Sequence, residues 1–246
     1  MNYDNKKLNL FKLLYQKGLE RYSKFHHLDF LVGPNVLVFS PHPDDDVFGC
    51  GGSIIRHVEQ GHNVYIIYLC QGEKGIKDVV KEKAAKIRRA ESIKASKILG
   101  VPSRNLFYLR QNDNNLKVNK VVINAINGIL HKVKPNIIYT PTFIDNHPDH
   151  YQTNLILKKC KVTNCLIAGY EIWTPHFPNR IVDISNEIGR KILSIKEHKS
   201  QLIQLDYLSA ITGLNKYRAS LYSKKKFAFA ESFLILKQKD YFSLIE

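Results

Sequence analysis

Short, continuously apolar runs alternate along this chain with longer segments whose apolar residues recur every three or four positions. Val36-Leu37-Val38-Phe39, Val64 to Leu69, Leu106-Phe107-Tyr108-Leu109, Asn136 to Tyr139 and Leu166 to Tyr170 are runs of the first kind. Uninterrupted hydrophobicity over so few residues marks strands buried on both faces. Between them the spacing predicts helices from Gly49 to Val58, Lys77 to Leu99, Val118 to Val133, and one after His150; Gly100 and Pro102 close the second. Strand–helix alternation implies right-handed crossovers and a mostly parallel sheet with helices on both faces. The fold class is therefore α/β, a single Rossmann-like domain over residues 1–246. Leu8, Phe11, Tyr15, Leu19 and Tyr22 add an N-terminal helix over about 5–27. From about residue 171 the pattern is irregular: a break at Trp173-Thr174-Pro175, a helix from Ile188 to Leu205, and a strand-like segment from Phe227 to Leu236.

A chain of 246 residues is long enough to bury a full core. No run of about 18 apolar residues offers a membrane span. The N-terminal leucines are interrupted by Lys12 and Lys17, unlike the apolar stretch of a secretory signal. Cys50, Cys70, Cys160 and Cys165 form no Cys-x-x-Cys pair, as expected of a reduced, cytoplasmic protein. Charge changes the picture more. Thirty-seven Lys and Arg against 22 Asp and Glu leave +15. Eight of the basic residues fall between Lys77 and Lys97, and Lys224-Lys225-Lys226 form a second cluster. Such a field favours an anionic small-molecule partner, an anionic lipid surface touched peripherally, or nucleic acid; the plain alternative is a solvated helix face. Aromatic residues are not interleaved with the lysines as a single-strand platform requires, which places nucleic acid last.

The chemistry concentrates in two short segments. Ser40-Pro41-His42-Pro43-Asp44-Asp45-Asp46 follows the first strand, and His147-Pro148-Asp149-His150 follows the fourth. In parallel α/β sheets ligands bind at the carboxyl ends of strands, where both segments lie. His42, Asp45 and His150 make a two-His, one-carboxylate set, which suits one Zn²⁺ per chain with an open position for water and substrate. Asp44 points to the side of that set. His26, His27, His57, His62, His131, His176 and His198 stand alone and read as ordinary surface or core residues.

His-Pro-Asp-Asp after a first strand, with a later His-x-Asp-His, resembles the PIG-L/LmbE-like zinc de-N-acetylases, which act on N-acetylglucosaminyl conjugates. Ile87-Arg88-Arg89-Ala90-Glu91 is similar to the family's Arg-x-x-Glu helix, and Tyr170 to Pro175, Val182 to Ser185 and His198 to Gln201 resemble a bacterial branch of it. The resemblance implies a hydrolase giving acetate and a free amino sugar. It implies zinc on His42, Asp45 and His150, and Asp44 as general base. His147 would stabilise the oxyanion or protonate the leaving amine, with Asp149 orienting and charging its imidazole. Relatives of this kind often assemble as homo-oligomers. Asp46 stands where the family usually has Glu; it lies behind the ligands and fixes the loop, so the change should retune activity rather than abolish it. Arg88 is a candidate for substrate hydroxyls or a phosphate, against an ordinary ion pair with Glu82 or Glu91. Asp113, after the third strand, is a candidate sugar contact, and Trp173 and His176 are candidates for the pocket wall.

Three rivals remain. Asp44-x-Asp46 matches the Asp-x-Asp of metal-dependent glycosyltransferases but leaves the histidines unused. A two-metal phosphoesterase uses the same ligand types. A catalytically silent sugar- or lipid-binding homologue would bind without turnover.

Overall fold

The computed structural model describes residues 26–27, 31–222 and 227–245. Among them eight strands form one sheet: β1 (His26–His27), β2 (Asn35–Ser40), β3 (Asn63–Cys70), β4 (Leu106–Gln111), β5 (Ile137–Pro141), β6 (Leu166–Tyr170), β7 (Arg180–Asp183) and β8 (Ala230–Lys237). Their spatial order is β1-β7-β8-β6-β5-β2-β3-β4. Pairing is parallel from β6 across to β4, while β8 runs antiparallel between β6 and β7. The helices are α1 (Asp45–Glu59), α2 (Lys81–Leu99), α3 (Lys120–Val133), α4 (Pro148–Lys159), α5 (Ile188–Glu197), α6 (Lys199–Leu202), α7 (Tyr207–Tyr222) and α8 (Gln238–Phe242).

The apolar runs are continuous because both faces of the sheet are covered. Val36 and Val38 pack with Ile54 and Ile55 of α1 and with Ala95 and Leu99 of α2. Their neighbours Leu37 and Phe39 point the other way, onto Val122, Ile126 and Leu130 of α3 and Ile156 and Leu157 of α4. Successive side chains of a strand alternate faces, so a strand buried twice must be apolar at every position. Each such side chain contributes roughly 1.5–3 kcal/mol when fully buried.

From β2 the chain builds β3 and then β4 on one side, and returns to lay β5 on the other. That reversal opens a crevice at the carboxyl ends of β2 and β5, the place where such sheets bind ligands.

Several elements differ from their expected bounds. Helix α1 begins at Asp45 rather than Gly49, so Asp45 and Asp46 sit in its first turn, where carboxylates oppose the helix dipole favourably. The predicted start marks an internal kink at Cys50 (φ −142°). There the N–H groups of Gly52 and Ser53 donate to the Glu231 carboxylate of β8 at 2.8 Å each. Lys191 of α5 completes the clamp, donating to Glu231 at 2.7 Å and to the Phe48 carbonyl at 3.0 Å. Gly49 is glycine because α1 crosses β6 closely; a Cβ there would lie 2.2 Å from the Tyr170 ring. Past residue 171, β7, α7 and α8 are additional elements, and the helix expected over 188–205 divides at His198 into α5 and α6. The N-terminal helix expected over 5–27 lies outside the described residues except for His26 and His27, which form β1. Lys224-Lys225-Lys226 lies outside them too. Among the described residues no helix is long and apolar enough to cross a membrane.

His57 of α1 is a core histidine, 2.9 Å from the Tyr139 hydroxyl and 2.9 Å from His62 Nδ1. Burial, helped by His62 and Arg56, pushes its pKa down to about 3. Unfolded, the same imidazole titrates near 6.5. Below that pH the unfolded chain takes up a proton that the folded one refuses, so folded stability drains away as pH falls from about 6.5 toward 3. We expect His57→Gln to lose stability less steeply than wild type over that window, by about 1.4 kcal/mol per pH unit. Urea melts of both proteins between pH 6.5 and 4.5 measure this; parallel slopes would show that His57 does not titrate on unfolding.

Candidate metal and active site

The loop after β2 is fixed from beneath. Ser40 Oγ donates to the His42 carbonyl at 2.6 Å and accepts the Asp46 N–H at 3.1 Å. Asp46 is fully buried, with one carboxylate oxygen 3.1 Å from Ser40 Oγ and the other accepting the Tyr68 hydroxyl at 3.1 Å. Burial raises its carboxyl to about 7. Asp46 therefore holds the loop and the start of α1 together and does not reach the cleft.

Above it, one carboxylate oxygen joins two imidazoles. Asp45 Oδ2 lies 3.0 Å from His42 Nδ1 and 3.2 Å from His150 Nε2. His147 approaches both rings, with centroids 4.7 Å from each. Nitrogens of His42, His147 and His150 all lie within 4.8 Å of one another. A tetrahedral zinc with bonds of about 2.0–2.2 Å sets its ligand atoms roughly 3.3 Å apart, close to the Asp45 separations. Both ring nitrogens of His150 are buried and face carboxylates, Asp45 at 3.2 Å and Asp145 at 3.3 Å, without well-aligned hydrogen bonds, an arrangement that a cation beside Nε2 completes. Burial lowers the His150 pKa, but the Asp45 carboxylate outweighs that and lifts it to about 9. Burial likewise raises Asp45, and His150 and His42 overcome it to hold the carboxyl well below the usual range.

A second cluster gathers on the far nitrogen of His42. Nε2 lies 2.9 Å from Asp113 Oδ1 and 3.1 Å from Asp149 Oδ2. With Cys70 these atoms also fall within 4.8 Å, but the chemistry does not suit a metal. Burial pushes the Cys70 thiol far up, and its sulfur stands 3.8 Å from Asp149 Oδ2. Asp149 already accepts the N–H groups of Asn114 (2.7 Å) and Leu116 (3.1 Å). The two carboxylates orient His42 from behind, which fixes its tautomer with Nδ1 free for the cation.

This corrects the partner given to Asp149 by the family resemblance. Its carboxylate meets His42, and only its backbone N–H meets His147, donating to Nδ1 at 3.2 Å. The cause is local: His147 is the N-cap of α4, and its ring accepts from the first turn. Nε2 of His147 is consequently left as the donor, facing the cleft. Burial and then the nearby His42 and His150 lower its pKa, which keeps the ring neutral.

Asp44 stands apart from the cluster. Its Oδ1 is 3.0 Å from the guanidinium of Arg88, itself 2% exposed. Arg88 thus pairs with Asp44 rather than with Glu82 or Glu91; Glu91 is occupied by the Ser200 N–H and hydroxyl at 2.8 and 2.6 Å. Gly72 (φ +67°) lets the chain pass, since a Cβ there would come within 3.0 Å of Arg88 Nε. Burial raises the Asp44 carboxyl, chiefly against the pull of Arg88, to about 6. Both residues line a cleft of about 830 Å³ together with His42, Asp45, Asp113 and His147. Trp173 also lines it, whereas His176 lies buried beside Glu171 and outside the lining.

Two neighbours of the site were not assigned to it from the sequence. Asp145 accepts the His147 N–H at 3.1 Å and lies 3.3 Å from His150 Nδ1. His198 is fully buried with both nitrogens unpartnered, its ring against Phe48. Asp145 is two residues before the second motif, so its proximity was the available clue; for His198 the clue was the resemblance of His198 to Gln201 to the bacterial branch.

The model of the family PIG-L, GlcNAc-PI de-N-acetylase, matches residues 37–161, a span that holds both clusters. The chain belongs to the PIG-L family. A PIG-L relative, diacetylchitobiose deacetylase of Thermococcus kodakarensis, is 29% identical over 187 residues, covering 68% of this chain and 69% of the relative. Among solved structures, N,N'-diacetylchitobiose deacetylase from Pyrococcus horikoshii superposes with a TM-score of 0.72 at 23% identity, covering 96% of this chain and 94% of its own. GalB of Pseudomonas putida, a 4-carboxy-2-hydroxymuconate hydratase, does so at 0.70 and 21% identity over 82% of this chain and 95% of its own. The PIG-L scaffold is thus shared by proteins named for different reactions, and the site must decide between them.

Proposed function

We propose that this chain is a zinc-dependent N-deacetylase that removes the acetyl group of an N-acetylhexosamine conjugate, giving acetate and a free amino sugar. The observation that carries the reading is the division of the paired aspartates. Asp45 joins His42 and His150 at 3.0 and 3.2 Å, while Asp44 turns to Arg88 beside the open cleft. One carboxylate is built to hold a cation and its neighbour to handle a proton. Family membership and the Thermococcus diacetylchitobiose deacetylase support the amide of an amino sugar as the bond cleaved.

His42, Asp45 and His150 would hold the zinc. When bound, the ion supplies Lewis acidity to a carbonyl and lowers the pKa of water. Asp44, near neutrality in its titration, accepts the proton of the attacking water. His147 presents Nε2–H to the oxygen that gathers charge as the acetamide carbon becomes tetrahedral. When the C–N bond breaks, the proton gathered by Asp44 returns to the departing amine. His42 is held in place by Asp113 and Asp149, and His150 by Asp145.

Acetate release from zinc-loaded protein tests this, across free N-acetylglucosamine, its phosphates, nucleotide-diphosphate sugars, lipid-linked sugars and disaccharides. Chelator-sensitive acetate is the expected product. Phosphate or a transferred sugar in its place would move the reading to a phosphoesterase or glycosyltransferase, and tight binding without products to a silent homologue.

A further inference from the structure

Two short motifs of the sequence, Arg88-x-x-Glu91 and His198 to Gln201, meet around the Arg88 guanidinium. A guanidinium has N–H donors enough to be held from several sides, yet this one is held by a single carboxylate. Among the described residues Asp44 is its one ion-pair partner, and Nε is buried with no acceptor in reach. Its aim therefore depends on what packs against it. Asp44 depends on that aim in turn, since Arg88 is its one ion-pair partner among the described residues.

The turn from Gly72 to Gly75 lies directly on the guanidinium. A Cβ on Gly72 would come 3.0 Å from Arg88 Nε and 3.0 Å from Pro43 Cδ, and one on Gly75 would come 2.9 Å from Arg88 Nη1. Backbone presses this close only where no side chain intervenes. The Gly75 N–H closes the turn on the Gly72 carbonyl at 3.1 Å. Its middle is tied to Asp113, whose N–H donates to Glu73 at 3.0 Å and whose carboxylate accepts the Lys74 N–H at 3.3 Å.

Its end is tied to α6. The Gly75 carbonyl accepts Nε2 of Gln201 at 3.0 Å and Nε2 of Gln204. Gln201 is buried and Gln204 exposed, so water competes more with the second bond. Gln201 is placed by its neighbour: Ser200 gives its N–H and its hydroxyl to Glu91, which follows Arg88 by one turn of α2. His198 leads the chain from α5 into α6, with its ring fully buried against Phe48. Burial, and then Arg88, push its pKa down to about 3, so the imidazole adds no charge beside the guanidinium. From Arg88 the contacts run through Glu91, Ser200, Gln201 and Gly75 and close again on Arg88.

We propose that Gln201 is a positioning residue for the reaction: its amide holds the Gly72–Gly75 turn down on the Arg88 guanidinium and so keeps Arg88 turned to Asp44. The two motifs then act as one device. Its effect on rate rests on the deacetylase reading; its hold on Arg88 does not.

Hydrogen exchange at Arg88 Nε–H reads that hold without turnover. In nitrogen-15-labelled, zinc-loaded, full-length protein the signal is assigned by its loss in Arg88→Met. Gln201→Met keeps the length of the side chain and removes the donor, and should exchange that proton about tenfold faster than wild type. Ser200→Ala, which keeps the amide and one bond to Glu91, should fall between them. In parallel, kcat for acetate release from N,N'-diacetylchitobiose should fall about tenfold in Gln201→Met with KM within about twofold. Adding the same change to Arg88→Met should cost less than about twofold, because both act through one group. Unchanged exchange in Gln201→Met would overturn the proposal, as would a full tenfold loss in the Arg88→Met background, which marks a tie that does not act through Arg88. Should Gln201→Met fail to fold, unchanged exchange in Ser200→Ala has the same force. Faster exchange in a protein that releases no acetate would keep the hold on Arg88 and sink the deacetylase reading.

Discussion

Replacing His150 with Ala should leave a folded protein that no longer holds stoichiometric zinc and whose acetate release falls to background. The imidazole is fully buried, 3.2 Å from Asp45, and His147, whose ring nitrogen is also within 4.8 Å, is already engaged through Nδ1 with the Asp149 N–H. Losing a hydrogen-bonding group behind a metal ligand typically costs ~10–100-fold in affinity; losing one of three ligands should cost more. Asp113→Asn and Asp149→Asn, whose carboxylates meet the far nitrogen of His42 and leave the cation side intact, provide that milder comparison. A second readout is independent of turnover. At pH 7 the metal-free site holds protons on His42, whose pKa is well above its usual value against the pull of burial, and on His150 near 9. Zinc must displace them, so loading should release about two protons, and about one fewer in the variant at any zinc concentration that still binds. Elemental analysis and calorimetry in buffers of different ionisation enthalpy measure both. Full zinc content in His150→Ala would sink the ligand assignment whatever became of the activity.

Much of the architecture was legible because two signals agreed locally. β2, β3 and β5 are apolar at consecutive positions, and the helices between them carry their own period, so the parallel core was written twice. The end of the chain was not, because β8 is antiparallel and pairs with strands some fifty or more residues distant, a choice no local window contains. Glu231 illustrates the same limit. It falls inside the strand-like segment from Phe227 to Leu236 with nothing local to mark it, yet it is buried, caps the kink of α1 and pairs with Lys191. Within the site, residue types and spacing pointed to the His42, Asp45, His147 and His150 cluster. They did not reveal that Arg88 would reach Asp44, since that contact joins α2 to the β2 loop across the end of the sheet. Nor did they reveal that Asp149 would serve His42, because helix capping by His147 decides where that side chain points.

The contact between Arg88 and Asp44 leads to the other large effect. Asp44→Asn keeps the size and hydrogen-bonding shape of the side chain, removes the base, and leaves Asp45, His42 and His150 untouched. It should retain zinc and lose ~10²–10⁴ in kcat/KM, the range a positioned base contributes. If zinc were lost instead, the division between the paired carboxylates would be the wrong way round. Arg88→Met tests the tuning of that base. Burial raises the Asp44 carboxyl and Arg88 lowers it, so without the guanidinium its pKa must climb. A base works only when deprotonated; activity appears as pH rises through its pKa, and the acid limb of the rate profile should move to higher pH in the variant. Bound zinc lowers the limb in both proteins, so the direction of displacement between them is the measurement that counts. A purely structural role for Arg88 would reduce rates at every pH and leave the limb in place. A limb that moves up, with activity recovering toward wild type on the alkaline side, would identify Arg88 as the residue that keeps Asp44 ionised at neutral pH.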